Sequence, residues 1–414
     1  MQEITDLRDW LSAVEEMGEL TVIEGADWDA EIGCAAALNA QKDDSSALIF
    51  DSIKDYPKGY RILLSSITKP SRIALSLGIS TDCSVNQLSD VLREGLHEWQ
   101  ETWPHYAPEV VESGSVLENI RSGNDINLFE FPAPKWRQRD GGRYIGTGCS
   151  IITQDPDTGE VNLGTYRTMI KDERTATFHI SPNKHGRYHY EKYHARGESC
   201  PVAISLGHNP LIFMVSCINV PQGSEYHFAG AIRKKPIRVI KDEITGLPIP
   251  ADAEIIIVGW SPPNKMKSEG PFGEWQGYYA MHEKAAPVIE VERIYHRNSP
   301  IILGMPNHIG RGDASYWSAL MGSSIVHNDA VRVGLPGIKR IWFHVGMEQM
   351  FIVVSIKQMY AGHDKDVAMF ISSKRTATSL ARYVIVVDDD IDPSNINEVI
   401  WAMCTRCDPD KHID

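Results

Sequence analysis

Residues 144–180 read YIGTGCSIITQDPDTGEVNLGTYRTMIKDERTATFHI. Three runs in this stretch, Ile145 to Thr153, Val161 to Lys171 and Thr175 to Ile180, are rich in β-branched and apolar residues and are strand-like. Asp155-Pro156-Asp157-Thr158-Gly159 separates the first two with the residues a tight turn needs. The pattern continues through Val202 to Leu206, Leu211 to Ile218, Ile237 to Lys241, Glu254 to Val258, Val288 to His296 and Ile301 to Leu303. Many short strands at this spacing predict a barrel or sandwich in the middle of the chain.

Outward from that core the periodicity changes. Toward the N-terminus, Leu7, Trp10, Leu11 and Val14 fall on one helical face, with Gly18 as a C-cap before a strand at Leu20 to Ile23. Helices around 29–41 and 84–100, with strands at Ala47 to Phe50 and Arg61 to Ser65, complete a small α/β unit. Beyond about residue 313, strands at Lys339 to Val345, Met350 to Ser355 and Tyr383 to Val387 alternate with helices near 360–380 and 394–406. The expected fold class is α+β, with an N-terminal α/β domain at 1–115, a strand-rich domain at 116–312 and a C-terminal α/β domain at 313–414.

The chain has 414 residues, 42% of them hydrophobic, and a formal net charge of -14, which fits an ordinary globular protein. Without a run of basic residues, neither nucleic acid nor an anionic membrane surface is an expected partner. Ile255 to Val258 is far too short an apolar run to span a bilayer. Residues 1–10, MQEITDLRDW, lack an apolar signal core, so a cytoplasmic location without a secretory signal is expected. Seven scattered cysteines suit a reducing compartment without a disulfide framework. The lone CxxC of Cys404 and Cys407 reads as part of a helix.

Chemistry concentrates in Ser268-Glu269-Gly270-Pro271-Phe272-Gly273-Glu274-Trp275. Two carboxylates around such a turn fit a solvated surface loop as well as a pair of acids over one cavity. Upstream, Asn162 and Arg167 share a strand-like run, and His185 and Glu225 fall in expected loops. Asn162, His185 and Glu225 offer a carbonyl oxygen, an imidazole nitrogen and a carboxylate oxygen, a set suited to octahedral Mn2+ or Mg2+ if they converge. Asp388-Asp389-Asp390 reads as a solvated strand exit and Arg311-Gly312-Asp313 as a loop; His308 could line a substrate pocket.

The motifs follow one order along the chain: Leu7-Arg8-Asp9, then Asn162 with Tyr166-Arg167, Lys184-His185, Ser224-Glu225-Tyr226, Glu269 to Glu274, Asp388 to Ile391, Trp401 to Arg406 and Asp408-Pro409. That ordered set resembles the UbiD-type decarboxylases. The resemblance implies a central split β-barrel carrying prenylated FMN (prFMN), a flavin with an extra ring made by a separate flavin prenyltransferase. It implies that Asn162, His185 and Glu225 hold Mn2+ (or Mg2+) against the cofactor phosphate, with K+ near Ser216 to Ile218. Thr165, Tyr166, Arg167, Lys184 and Lys374 would line the cofactor. Arg167, paired with Glu269, would face the carboxylate of the substrate, and Glu274 would supply the proton that replaces CO2. The substrate would be an aromatic, heteroaromatic or α,β-unsaturated acid, and Trp275 favours a flat aromatic one. The assembly would be a homo-oligomer, a dimer or dimer-based hexamer. The alternative is a non-catalytic or carboxylating subunit of a multi-component carboxylase, a scaffold expected to lose the acids that remain here.

Overall fold

The computed structural model describes residues 3–345, 350–374 and 381–413. It is a mixed α and β structure in two compact units, Met1–Asp82 with Trp99–Ala314, and Cys83–Glu98 with Ser315–Asp414.

The larger unit is organised by a ten-stranded sheet. Its strands are β1 (Asn119–Ser122), β2 (Tyr144–Gly146), β3 (Ser150–Gln154), β4 (Val161–Gly164), β5 (Arg167–Asp172), β6 (Thr175–His179), β7 (Cys200–Leu206), β8 (Ile255–Ser261), β9 (Met266–Glu269) and β10 (Lys284–His296). They run in the order β2-β5-β6-β10-β8-β7-β3-β4, with β1 and β9 also paired to the long β10. All of these pairings are antiparallel. Along β7 every residue is buried, and Ile255 to Val258 in β8 are fully enclosed. Burial on both faces is why these strands read as continuous apolar runs rather than as alternation.

Three sequence expectations change here. Leu211 to Ile218 is not a strand: α2 below covers Pro210–Ser216, with Pro210 in its first turn and the Asn209 side chain accepting from Leu211 N–H. All seven residues are buried, so no polar face marks a helical period. Ile301–Leu303 leaves the central sheet and lies parallel to Arg61–Leu64, completing an N-terminal sheet with Leu20–Glu24 and Ala47–Asp51. Arg238–Lys241 likewise joins Pro248–Pro250 and Glu109–Val110 in a separate small sheet.

The first helix, Leu7–Glu16, buries the expected face of Leu7, Trp10, Leu11 and Val14 and is capped by Asp6. From it Arg8 reaches Glu254, which is wholly buried: Nε and Nη2 donate to the two carboxylate oxygens at 2.8 Å each. Arg297 stands 3.3 Å from the same carboxylate, and Ile301 N–H donates to it at 3.2 Å. Three segments distant in sequence, around residues 8, 254 and 297–301, are thereby held at one point.

Three further helices of this unit matter below: α1 (His185–Ala195), α2 (Pro210–Ser216) and α3 (Glu225–Arg233). The smaller unit has a three-stranded sheet of Ile338–Phe343, Phe351–Ile356 and Tyr383–Asp388, whose core includes Phe343, Ile352, Val354, Val367 and Ile371. Of the helix expected near 360–380, His363–Ser373 is present, and residues 375–380 lie outside the described residues. Asp388 and Asp390 are exposed and paired with Arg406, as a solvated strand exit requires.

Candidate active site

Arg167 is the first residue of β5, beside Glu269 at the end of β9. Its Nε and Nη2 donate to Glu269 Oε1 and Oε2 at 2.8 and 3.0 Å, while Nη1 donates to Glu274 Oε1 at 3.2 Å. Glu269 is 1% exposed. Burial opposes the charge of Arg167, but the adjacent Glu269 outweighs it and holds the guanidinium above its ordinary pKa. The Tyr144 hydroxyl donates to Glu269 Oε1 at 3.1 Å, and burial, reinforced by Glu269, keeps that phenol protonated. Phe272 packs against both partners: its ring centroid is 4.6 Å from that of Tyr144 and 4.7 Å from the guanidinium carbon. His179 lies 3.6 Å from Glu269, yet burial and the charge of Arg167 lower its pKa, so it sits there as a neutral ring.

The loop carrying Glu274 is anchored separately. Glu274 Oε2 accepts from the Asn307 side-chain amide at 3.1 Å. Arg137 donates through Nη1 to Gly273 O at 2.7 Å and through Nη2 to Asn307 O. Asp140 accepts from Gly273 N–H at 3.0 Å. A Cβ on Gly273 would sit 2.3 Å from Arg137 Nη1, so only glycine leaves room for this crossing. His308 follows Asn307; it is 8% exposed, and burial together with Arg137 lowers its pKa to about 4.

A second cluster gathers on β4. Asn162 is buried there, and its Nδ2 donates to the Tyr166 hydroxyl at 3.4 Å. The same hydroxyl accepts from Gly186 N–H at 3.2 Å, which ties the start of α1 to β4. Tyr166 fills space that only glycines leave, since a Cβ on Gly164 would meet its ring at 2.3 Å. His185 and Glu225 are not in loops but are the first residues of α1 and α3. Glu225 is buried, is hydrogen-bonded by Leu163 N–H beside Asn162, and has Oε2 without any partner; burial raises its pKa to about 7. An under-compensated buried carboxylate of this kind fits a bound cation. Among the described residues no three His, Cys, Asp or Glu side chains cluster for a metal, and this set contains only two of those types.

Thr165 follows β4, with Cys217 Sγ 3.9 Å from its hydroxyl, and the charge of exposed Lys184 acts on the same thiol. Ser216, at the end of α2, shares a 2.8 Å hydrogen bond with Ser150. Lys374 belongs to the smaller unit, at the C-terminal end of His363–Ser373, with Nζ 3.8 Å from Asp329 and 4.3 Å from the Phe370 ring centroid. Sequence reading missed Tyr144, Asn307, Arg137 and Asp140. None stands in a local motif, and only the neighbouring His308 had drawn attention to that segment.

Three family models match in order: the N-terminal, Rift-related and C-terminal domains of 3-octaprenyl-4-hydroxybenzoate carboxy-lyase, over residues 11–92, 109–308 and 317–413. The chain therefore belongs to the UbiD family of carboxy-lyases. It is 30% identical to a phenolic acid decarboxylase of Bacillus subtilis (strain 168), over 98% of this chain and 85% of that one. Among solved structures, the vanillic acid decarboxylase of Sedimentibacter hydroxybenzoicus in its open form has a TM-score of 0.87 at 28% identity, covering 99% of this chain and 86% of that one. An evolved dimeric form of the UbiD-class enzyme HmfF from Pelotomaculum thermopropionicum, in complex with prFMN, has a TM-score of 0.86 at 26% identity, covering 99% and 91%. Among the described residues no helix is long and apolar enough to cross a membrane.

Proposed function

We propose that this carboxy-lyase decarboxylates an aromatic, heteroaromatic or α,β-unsaturated acid with the aid of prenylated FMN, through Arg167, Glu269 and Glu274. The observation that carries this reading is the way Arg167 is held. Glu269 occupies its Nε–Nη2 side, leaving the Nη1–Nη2 end as a second bidentate donor edge, and Glu274 lies at that edge. A substrate carboxylate docking there meets an oriented guanidinium and comes next to the acid that must later give up a proton. Glu269 and Tyr144 keep the guanidinium from turning. Phe272 covers its face and excludes water. Glu274, after taking up a proton from solvent, exchanges its contact with Nη1 for the reacting carbon and delivers that proton there, and Asn307 limits how far it swings.

When bound, prFMN supplies the electron sink that no side chain offers for the charge left by departing CO2. Thr165, Tyr166, Arg167, Lys184 and Lys374 would line it. Asn162, His185 and Glu225 would hold Mn2+ or Mg2+ at its phosphate, with K+ beside Ser216; the partnerless Glu225 oxygen supports that assignment. The reading extends to a central split β-barrel within domains at 1–115, 116–312 and 313–414. It also covers a homo-oligomer, a flavin prenyltransferase as cofactor supplier and a cytoplasmic location. The names of the relatives support an aromatic acid as substrate. Retention of the whole Arg167 array favours a catalytic chain over the scaffold subunit of a multi-component carboxylase.

Co-expression with a flavin prenyltransferase tests the reading. Purified protein is expected to show a flavin spectrum distinct from that of FMN and to release CO2 from at least one acid in an aromatic and heteroaromatic panel. A spectrum of unmodified FMN with no CO2 from any acid overturns it. Glu225→Ala is expected to lose bound metal and flavin together; full flavin occupancy in that variant rejects the metal assignment.

A further inference from the structure

The larger unit has a cavity of about 220 Å3 between Thr5 and Asp6, His208 and Asn209, the segment 233–238 and the segment 250–253. It lies at the other ends of α2 and α3 from the β4 cluster. Ser216 ends α2 and Glu225 begins α3, whereas His208 and Asn209 precede α2 and Arg233 ends α3. At 1.5 Å per residue, helices of seven and nine residues set the two places roughly 10–13 Å apart.

Arg233, Lys235 and Arg238 line this cavity against the carboxylates of Asp6 and Asp252. Both carboxylates are engaged elsewhere: Asp6 caps the first helix and meets Arg297 at 2.7 Å, and Asp252 meets Arg238 at 2.9 Å. Lys235 pairs at 2.7 Å with Glu3, which is 58% exposed. Among the described residues, Arg233 is the cavity cation that no carboxylate hydrogen-bonds, although Glu3, Asp252 and Asp9 act on its charge. Its side chain is only 16% exposed, and the carboxylate that faces it, that of Glu3, stands 3.9 Å away, beyond hydrogen-bonding distance. His208 is 1% exposed; its Nδ1 is bonded to Ser205 Oγ at 3.0 Å, and its Nε2 is buried without a partner. In the tautomer that places the ring hydrogen on Nε2, the Ser205 hydroxyl donates to Nδ1 and the Nε2–H is a buried donor without an acceptor.

We propose that this cavity binds a small oxyanion, a carboxylate or a phosphate, on the Arg233 guanidinium and His208 Nε2, with Lys235 at its mouth. A planar guanidinium fork matches the paired oxygens of either group, and a buried charge of this kind calls for a counter-ion. The volume falls below the ~300 Å3 at which pockets for drug-sized ligands begin, which restricts the ligand to a few heavy atoms beyond the oxyanion. The proposal does not rest on the decarboxylase reading, since none of these residues belongs to the Arg167 array or to the β4 cluster.

Calorimetric titration of flavin-loaded protein tests it, with sodium acetate and sodium phosphate as separate probes and sodium chloride at matched ionic strength as reference. Flavin loading blocks competition at a cofactor phosphate site. One saturable site is expected for at least one probe. Acetate alone identifies a carboxylate ligand and phosphate alone a phosphate; either supports the proposal when Arg233→Met or Lys235→Gln weakens it, since the Arg167 edge is also expected to take a carboxylate. Arg233→Met is expected to weaken binding at least about tenfold. Lys235→Gln, on a side chain 54% exposed and therefore safe for folding, is expected to weaken it by about threefold. The proposal is overturned if neither anion binds saturably up to the order of 10 mM. It is equally overturned if Lys235→Gln binds like the parent protein while Arg233→Met either does the same or fails to fold.

Discussion

Arg8 and Arg167 are gripped in the same way, each giving Nε and Nη2 to both oxygens of a glutamate that is almost wholly buried. What surrounds the two pairs differs. Around Glu254 the remaining partners are Arg297 and the Ile301 backbone N–H, and Arg8 spends a further N–H on Asn298 O at 2.7 Å. These partners are all protein groups, and the result is a clasp between the first helix and the central sheet. Around Arg167 the third partner is Glu274, on a loop, reached through a single nitrogen and balanced on its other side by Asn307. In one pair the further partners are a second arginine and backbone groups; in the other a donor edge faces a carboxylate on a loop. On the proposed reading, buried ion pairs of equal geometry serve architecture at Arg8 and chemistry at Arg167, and the third partner decides which.

Glu274→Gln presses hardest on this contrast. Turnover of whichever acid is accepted is expected to fall about 10²–10⁴-fold, with melting temperature and flavin content unchanged; a fully active variant removes Glu274 as proton donor. Arg8→Met is the mirror experiment. Stability measured by denaturant unfolding is expected to drop by about 2–3 kcal/mol, somewhat under the loss typical of a broken buried pair because Arg297 remains. The kcat of the folded fraction should not change, and a loss of kcat without a loss of stability would erase the distinction between the two pairs. Asn307→Ala is expected to lower kcat about tenfold through a looser Glu274, with Asn307→Asp failing to restore it because the amide donor is gone. An unchanged kcat would show that the loop needs no such tether.

The smallest effect concerns pH. His308, held neutral with a pKa lowered from 6.5 to about 4, takes up its proton less readily folded than unfolded. Its contribution to stability is present above about pH 6.5 and is lost as pH falls from there toward 4. His308→Gln is expected to shallow the decline in stability over that window by up to about 1 kcal/mol at pH 5.5. An identical pH profile would mean that the ring is not desolvated.

Much of the fold was legible because burial writes itself into sequence in two ways. The four consecutive apolar residues Ile255 to Val258 announce a strand covered on both faces, and the spacing of Leu7, Trp10, Leu11 and Val14 announces a helix covered on one. The helices that carry site residues escaped by falling outside both patterns. In α2 every side chain is buried; in α1, HGRYHYEKYHA, only Gly186 and His189 are. Neither has an apolar stripe, so His185 read as a loop residue when it is the first residue of a helix. The misplacement of Ile301–Leu303 has a different source, since its apolar run says strand but nothing in it names the partner.

The sequence by itself therefore determined the α+β class, the strand-rich centre and, through the order of its motifs, the candidates Arg167, Glu269, Glu274, Asn162, His185 and Glu225. Only the tertiary structure decided that Glu269 grips Arg167 from the side while Glu274 meets its end, that Tyr144 and Asn307 hold the two acids, and that Glu225 keeps one buried oxygen without a partner. The reason is physical. Residue type and local period report how much water a side chain can tolerate, whereas a hydrogen bond between residues more than 100 positions apart, such as Arg167 with Glu269, depends on where the intervening chain folds back.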